Sequence, residues 1–276
     1  MRFSTLNSSP STIETAIKSY NTNNDPQVWN QKPNYDETRK FFGKSFAGNG
    51  KVSGEPICDW MVKDLVEQEE WFTTEVHQEA FTFFMGFAVY EAFQRKPLVI
   101  QKKDKATGDV VSTAIVVEYD PKRAKTLTRK FSEGWNSCKA FVDMILFKEG
   151  LPELVTKHKK ASKRVGKKAK VTMDSIMKYH SNKGPTSKHW YVNMVGVNPD
   201  YNGKGHGGEL MSMVAKLADE TEGVSLCYLE CGASNRGFYE KCGYKVVAKH
   251  IISDPDDTSL DPLEGYVMTR DCSTTR

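Results

Sequence analysis

The stretch NPDYNGKGHGGEL, Asn198 to Leu210, puts Gly203, Gly205, Gly207 and Gly208 into six consecutive positions. Its flanks make it the tightest constraint on the fold. HWYVNMVGV, His189 to Val197, is a mostly apolar run without charge, as expected of a strand buried on both faces. After the glycines, Leu210, Val214, Leu217 and Ala218 fall on one helical face, with Glu209, Lys216 and Glu220 elsewhere. A strand, a glycine turn and a helix in that order present free backbone N–H groups beside a positive helix end, which suits phosphate oxygens. A Cβ there would hold an anion off the amides, and some positions call for positive φ. The plain alternative is a tight connection with no ligand, for which one or two glycines would suffice.

The rest of the chain supplies the setting. VSLCYLE, Val224 to Glu230, reads as a second strand, and NRGFYEKC as a short helix stopped by Gly243. KVVAKHII and GYVMTR then read as strands. The order from His189 onward is βαβαββ, which places at least one parallel pair around the glycine turn. Upstream, DETRKFFGKSFA reads as a helix broken by Gly48 to Gly50, and Asp59 to Phe93 as a second helical region, dense in Trp and Phe. Those aromatics form core or wall an apolar pocket. LVIQKK and VVSTAIVVEY are β-rich runs around DKATGD, whose Gly108 suits a hairpin turn. Leu127 to Glu149 and Met173 to Tyr179 return to a helical pattern, and Lys183 to Pro185 reads as a stop.

Length decides how many cores this can build. At 276 residues, 38% apolar and 27% charged, the chain reads as soluble and globular. Residues 1–34, dominated by Ser, Thr and Asn, lack the apolar core of a secretory signal and read as a flexible arm. Their Ser content also fits, weakly, a mitochondrial transit peptide. Residues 35–276 then form a single domain. The longest uncharged apolar-rich run, Ala80 to Tyr90, is about half of what a membrane helix needs, so no span is expected. Six cysteines form no CxxC pair and no zinc-like spacing; they read as reduced thiols of a cytoplasmic protein, with no metal expected. Residues 157–170, KHKKASKRVGKKAK, hold eight Lys or Arg and no acid. That insert is a solvated helix or loop on the bland reading, and a nuclear-import signal or anionic-partner patch on the sharper ones.

Which phosphate ligand the glycines hold is ambiguous from spacing alone. Gly203, Gly205 and Gly208 satisfy GxGxxG, and Glu230 stands 22 residues beyond Gly208, near the spacing of a ribose-binding acid. A dinucleotide fold would need further βα units, and only one short helix and two strands remain after Glu230. The Walker frame fails outright.

Trp190 to Tyr244 resembles the GNAT superfamily of acyl-CoA-dependent N-acetyltransferases. The carrying residues are Val197, Pro199, Asn202, Gly205 and Gly207 of the turn, then Leu229, Glu230, Asn235, Tyr239, Gly243 and Tyr244 downstream. Asn202 stands where Gln or Arg is usual. The wider arrangement looks like the branch that includes puromycin N-acetyltransferase, with the specific motifs confined to 186–271. The resemblance implies an α/β (α+β) fold: a mixed, mostly antiparallel sheet with helices on both faces and a central parallel pair splayed around acetyl-CoA. It implies that backbone near Val195 and Val197 pairs with pantetheine. It also implies that Asn202, Gly203, Lys204, Gly205, His206, Gly207 and Gly208, with Asn235, hold the cofactor. His206 is expected to point out of the cradle.

Catalysis then needs a proton acceptor for the amine and a donor for the departing thiolate. Tyr239 is the candidate acid, or a tyrosine packing the short helix on the sheet. Glu230 is the candidate base, or a cap for the following turn. The implied activity is transfer of an acetyl group to a primary amine of a small molecule. Protein or histone lysine acetylation and a non-catalytic acyl-CoA-sensing or nucleic-acid-binding module are the alternatives. Neither a membrane nor nucleic acid is an expected partner, and acceptor and oligomeric state are not legible.

Overall fold

The computed structural model describes residues 27–30, 35–48, 56–94, 97–120, 152–253 and 261–272. The helical reading of Leu127 to Glu149, most of the 1–34 arm and Cys138 lie outside these residues. The elements in chain order are β1 (Gln27–Asn30), α1 (Tyr35–Ala47), α2 (Pro56–Gln68), α3 (Thr74–Gln94), β2 (Leu98–Asp104) and β3 (Val110–Tyr119). Then come α4 (Glu153–Thr156), α5 (Lys159–Lys183), β4 (His189–Val197), α6 (His206–Asp219), β5 (Leu226–Gly232), α7 (Ala233–Lys241), β6 (Lys245–Ile252) and β7 (Leu263–Asp271). Seven strands form one sheet in the order β1-β2-β3-β4-β5-β7-β6. Every neighbouring pair is antiparallel except β4 with β5, which run parallel.

Some boundaries differ from the sequence reading. Asp59 to Phe93 divides into α2 and α3, because the Thr73 hydroxyl accepts the Val76 amide at 3.4 Å and starts a new helix. Gln27–Asn30, inside the segment read as an arm, pairs with Gln101 to Asp104 and extends the sheet.

Helices cover both faces. On one, Leu210, Met211, Met213, Val214 and Leu217 of α6 pack against Trp190, Val192, Cys227 and Leu229. On the other, Phe41 and Phe42 of α1 and Val89 and Ala92 of α3 pack against Val99, Ile115, Val117 and Met194. Val192 and Met194 of β4, two residues apart, thus serve opposite layers, because a bulge lies between them. The β3 register jumps from Ile115↔Met194 to Val116↔Val192, leaving Asn193 as the extra residue.

The basic insert is the first half of α5, in keeping with the bland reading. Ala161, Val165, Lys168 and Thr172 form its buried stripe at helical spacing. The buried Lys168 ammonium meets the Asp64 carboxylate of α2 at 2.9 Å, with Arg164 on the same acid at 3.3 Å. The remaining bases of the run are exposed. The thiols of Cys58, Cys227 and Cys231 are buried and unbridged. No helix of the described residues is long and apolar enough to cross a membrane.

Candidate active site

The parallel pairing of β4 with β5 consists of Trp190↔Cys227 and Tyr191↔Tyr228 alone. Beyond Tyr191 the two strands part, each kept straight by its other neighbour: β3 follows β4 to Val197, and β7 follows β5 to Gly232. A gap therefore opens in the middle of the sheet toward the carboxyl ends of both strands. Its β4 wall has a defined polarity. The Asn198 amide bonds the Val111 carbonyl at 2.8 Å, and antiparallel pairs alternate between bonded and non-bonded. Met194 and Gly196 therefore face β3, and the backbones of Val195 and Val197 face the gap. Ser45 of α1 donates its hydroxyl to the Val197 carbonyl at 3.0 Å, so that oxygen already has one partner.

The glycine turn closes the top of the gap. Asn198 anchors its entrance, accepting the Asp200 amide and donating to the Val110 carbonyl. Asn202, Gly203 and Lys204 are exposed, and the Lys204 ammonium lies over the Tyr201 ring at 5.1 Å. Gly203 and Gly205 have φ of 77° and 86°, which L side chains rarely adopt. Gly205 is the N-cap of α6 and provides no side-chain cap, so the amides of His206, Gly207 and Gly208 are the unpaired donors of the helix start. Gly207 is close-packed: a Cβ there would lie 3.3 Å from the Phe238 ring of α7 and 3.4 Å from Val197. Gly208 has neither constraint, for its φ is not positive and no atom lies within 4 Å of where its Cβ would be. Open space over three of the glycines and a bare helix start fit a bound pyrophosphate.

His206 departs from the expectation that it points out of the cradle. Its side chain is buried, with Nδ1 3.2 Å from a Glu209 oxygen. That same oxygen receives the buried Lys102 ammonium of β2 at 2.5 Å. Burial pushes the Glu209 carboxyl up, but the bonds from Lys102 and His206 outweigh it and the net direction is downward. The His206 side chain thus helps fix the first turn of α6, and its backbone amide is what faces the turn. Lys102 and Ser45 were not legible as site residues, since both act across the sheet from distant positions in the sequence.

Glu230 is the other departure. The ladder with β7 runs on through Cys231↔Tyr266 and Gly232↔Gly265, so Glu230 lies inside β5 and not at its end. It caps nothing: the N-cap of α7 is Gly232, with no side-chain cap bond. Its carboxylate instead accepts the phenols of Tyr191 at 2.7 Å and Tyr228 at 2.6 Å, one on each oxygen. Loss of water around the carboxyl pushes it up to about 7, partly offset by the two phenol bonds. Tyr228 stands two residues before Glu230, hence on the same face of β5, and this much alternation could have revealed. Tyr191 could not be found without the parallel register.

Tyr239 and Asn235 lie half-buried on α7, directly after β5. The Tyr239 ring meets Phe238 and Tyr244 edge-on, at 5.0 and 6.0 Å between centroids. Because Phe238 packs on Gly207, α7 and the glycine turn are fixed to one another. His189, at the start of β4, is fully buried. Among the described residues, no group of three or more His, Cys, Asp or Glu is placed to hold a metal ion.

Residues 174–244, which hold the splayed strands, the glycine turn and α7, match the family model of the acetyltransferase (GNAT) family. That match assigns this segment to the GNAT superfamily of acyl-CoA N-acyltransferases. No curated protein matches this chain significantly in sequence. Similar solved structures include arylalkylamine N-acetyltransferase 2 from Aedes aegypti, with 14% identity, 90% of this chain and 99% of the other covered, and a TM-score of 0.48. The ribosomal-protein-S18-alanine N-acetyltransferase from Escherichia coli has 12% identity, coverage of 91% and 96%, and a TM-score of 0.42. The polyamine N-acetyltransferase from Drosophila melanogaster has 15% identity, coverage of 89% and 99%, and a TM-score of 0.41. At such scores their acceptors remain facts about those enzymes.

Proposed function

We propose that this GNAT chain transfers an acetyl group from acetyl-CoA to a primary amine of a small molecule, by direct attack in a ternary complex. The observation that carries the reading is the gap between β4 and β5, with a bare helix start on one side and an enclosed, weakly acidic carboxyl on the other. When bound, acetyl-CoA supplies the acetyl thioester.

Each residue then has a task. The amides of Gly203 to Gly208 hold the pyrophosphate in the positive field of α6. Asn202, Lys204 and the His206 amide border that cradle, and Asn235 borders the gap from α7. The Val195 backbone and the Val197 amide pair with the pantetheine amides. Glu230 accepts the proton of the attacking amine; a carboxyl held near 7 is a far better proton acceptor than an ordinary glutamate and is still ionised in a useful fraction. Tyr239 donates a proton to the departing sulfur, which a phenol does without ionising. A small acceptor suits this reading because the phenols of Tyr191 and Tyr228 occupy both oxygens of Glu230, and aromatics of α1 and α3 line the layer on the same face of the sheet.

Gly208→Ala tests the cradle without straining the fold. Its backbone is helical and its Cβ meets nothing, so the unliganded protein is expected to gain about 0.5 kcal/mol, as glycine in a helix generally costs relative to alanine. Calorimetric titration of acetyl-CoA should nevertheless show at least roughly tenfold weaker binding, on the order of 1.4 kcal/mol, because the methyl stands where a phosphate oxygen approaches. Unchanged affinity would remove the cradle. CoA release from an amine panel then identifies the acceptor.

A further inference from the structure

Glu230 is clamped by two phenols, and the phenols are themselves held by something. Tyr191 and Tyr228 are register partners on neighbouring strands, on the face away from α6. Over them lies His180, near the end of α5 and 5% exposed. Its ring stacks on Tyr228 at 4.7 Å between centroids and 23° between planes, and lies 4.9 Å from the Tyr191 ring at 37°. It is 4.4 Å from Tyr119 of β3. Its Nε2 is 3.2 Å from Nε2 of His189.

That last contact has a direction. His189 Nδ1 lies 2.8 Å from the Ser187 carbonyl, which can only accept, so Nδ1 carries the proton. In a neutral His189 its Nε2 is then an acceptor, and His180 Nε2–H is the donor. Burial pushes His189 down, against a smaller upward effect of the Ser187 bond, and so favours the neutral ring. The His180 ring is therefore fixed in rotation by one hydrogen bond while its faces and edges contact both phenols. Among the described residues, the titratable groups of this cluster include Tyr119 of β3, His189 and Tyr191 of β4, Tyr228 and Glu230 of β5, and His180 itself.

We infer that His180 is a positioning residue for Glu230: it holds the Tyr191 and Tyr228 rings in the orientation that delivers both hydroxyls to the carboxylate. This rests on the proposed role of Glu230 as base, and adds that α5 sets its strength. A phenol bond stabilises the carboxylate form, so each hydroxyl that swings away leaves the acid harder to ionise. The inference also gives the basic helix a catalytic connection, since its C-terminal portion reaches the β4–β5 vertex.

The test uses full-length protein and two variants that keep the buried volume. His180→Leu removes the ring and the bond to His189; His180→Phe keeps a ring over Tyr228. Carbon-13 NMR of labelled glutamate carboxyls, with the Glu230 resonance assigned by its loss in Glu230→Gln, follows ionisation independently of turnover. The midpoint is expected to rise by about one pH unit in His180→Leu and to stay near wild type in His180→Phe. The acid limb of kcat should move with it, with KM for acetyl-CoA unchanged. A residue that merely filled space would lower kcat at every pH and leave the midpoint where it was; that result in His180→Leu, or an equal shift in both variants, overturns the assignment. If the midpoint shifts as expected while no amine yields CoA from the wild type, the positioning stands and the acetyltransferase reading falls.

Discussion

Glu230→Gln is expected to cost roughly 10²- to 10⁴-fold in kcat, the usual contribution of a positioned proton acceptor, while making the protein more stable above neutral pH. Both effects follow from the same burial. In the folded state the carboxyl is pushed up to about 7 from its ordinary 4.5. A group whose folded value is raised gives its full stability in acid, and that stability is lost as pH rises through about 7. Glutamine cannot ionise and keeps the acid-form stability, so at pH 8 the variant should gain about 2–3 kcal/mol, taking 1.36 kcal/mol per pH unit and allowing for residual exposure. The phenols of Tyr191 and Tyr228 adapt, because a hydroxyl can turn from donor to acceptor. Denaturant melts at pH 5 and pH 8 check this: the difference between variant and wild type should be small at pH 5 and clear at pH 8. In wild type, kcat should fall with acid through a midpoint near 7. A variant that retains turnover and the same acid limb would sink the assignment of the base.

Gly43→Ala is expected to be the most damaging single-methyl addition among the described residues. A Cβ at Gly43 of α1 would lie 2.1 Å from the Thr82 hydroxyl of α3, and 2.6 and 2.7 Å from its Cα and backbone nitrogen. Such overpacking costs about 3 kcal/mol when helices must move apart. Trimming Thr82 to alanine should not restore the loss, because two of the three close atoms belong to its backbone. The expected fall in Tm is roughly 6–12 °C. A melt shifted by less than about 2 °C would show that the α1–α3 crossing yields easily. The damage also reaches the site. Helix α1 carries Ser45 onto the Val197 carbonyl and lies against Gly196, whose Cβ would meet Ser45 at 2.7 Å and Phe41 at 2.9 Å. Moving α1 therefore moves the end of β4.

The parts of this site that were legible in the sequence are those set by local chemistry. Four glycines between a strand and a helix announce a helix start open to an anion, and the strand His189–Val197 lies where its uncharged, mostly apolar run placed it. Glu230 and Tyr239 stood out through the GNAT resemblance of the segment downstream of that turn. What was not legible depends on partners brought together by the sheet. Tyr191 meets Glu230 across 39 positions, Lys102 meets Glu209 across 107, and Ser45 meets Val197 across 152. The packing face of the basic insert was hidden for a different reason. Its surface lysines outnumber the Ala161, Val165, Lys168 and Thr172 stripe, so the composition of the segment hid the face that packs. The end of β5 was read two residues early because the apolar run stops at Leu229, whereas pairing with β7 continues to Gly232.

The two-residue union of β4 and β5 also bears on how protection from solvent is distributed through the molecule. A central strand normally has the slowest-exchanging amides of a domain, since both its edges are bonded. Here the Val195 and Val197 amides point into a gap that no strand of the described residues fills, so in the unliganded chain they should exchange deuterium as readily as those of an edge. Acetyl-CoA, acting as the missing strand between β4 and β5, should slow these amides more than its contact area alone would suggest, making the centre of the sheet the sensor of its own occupancy.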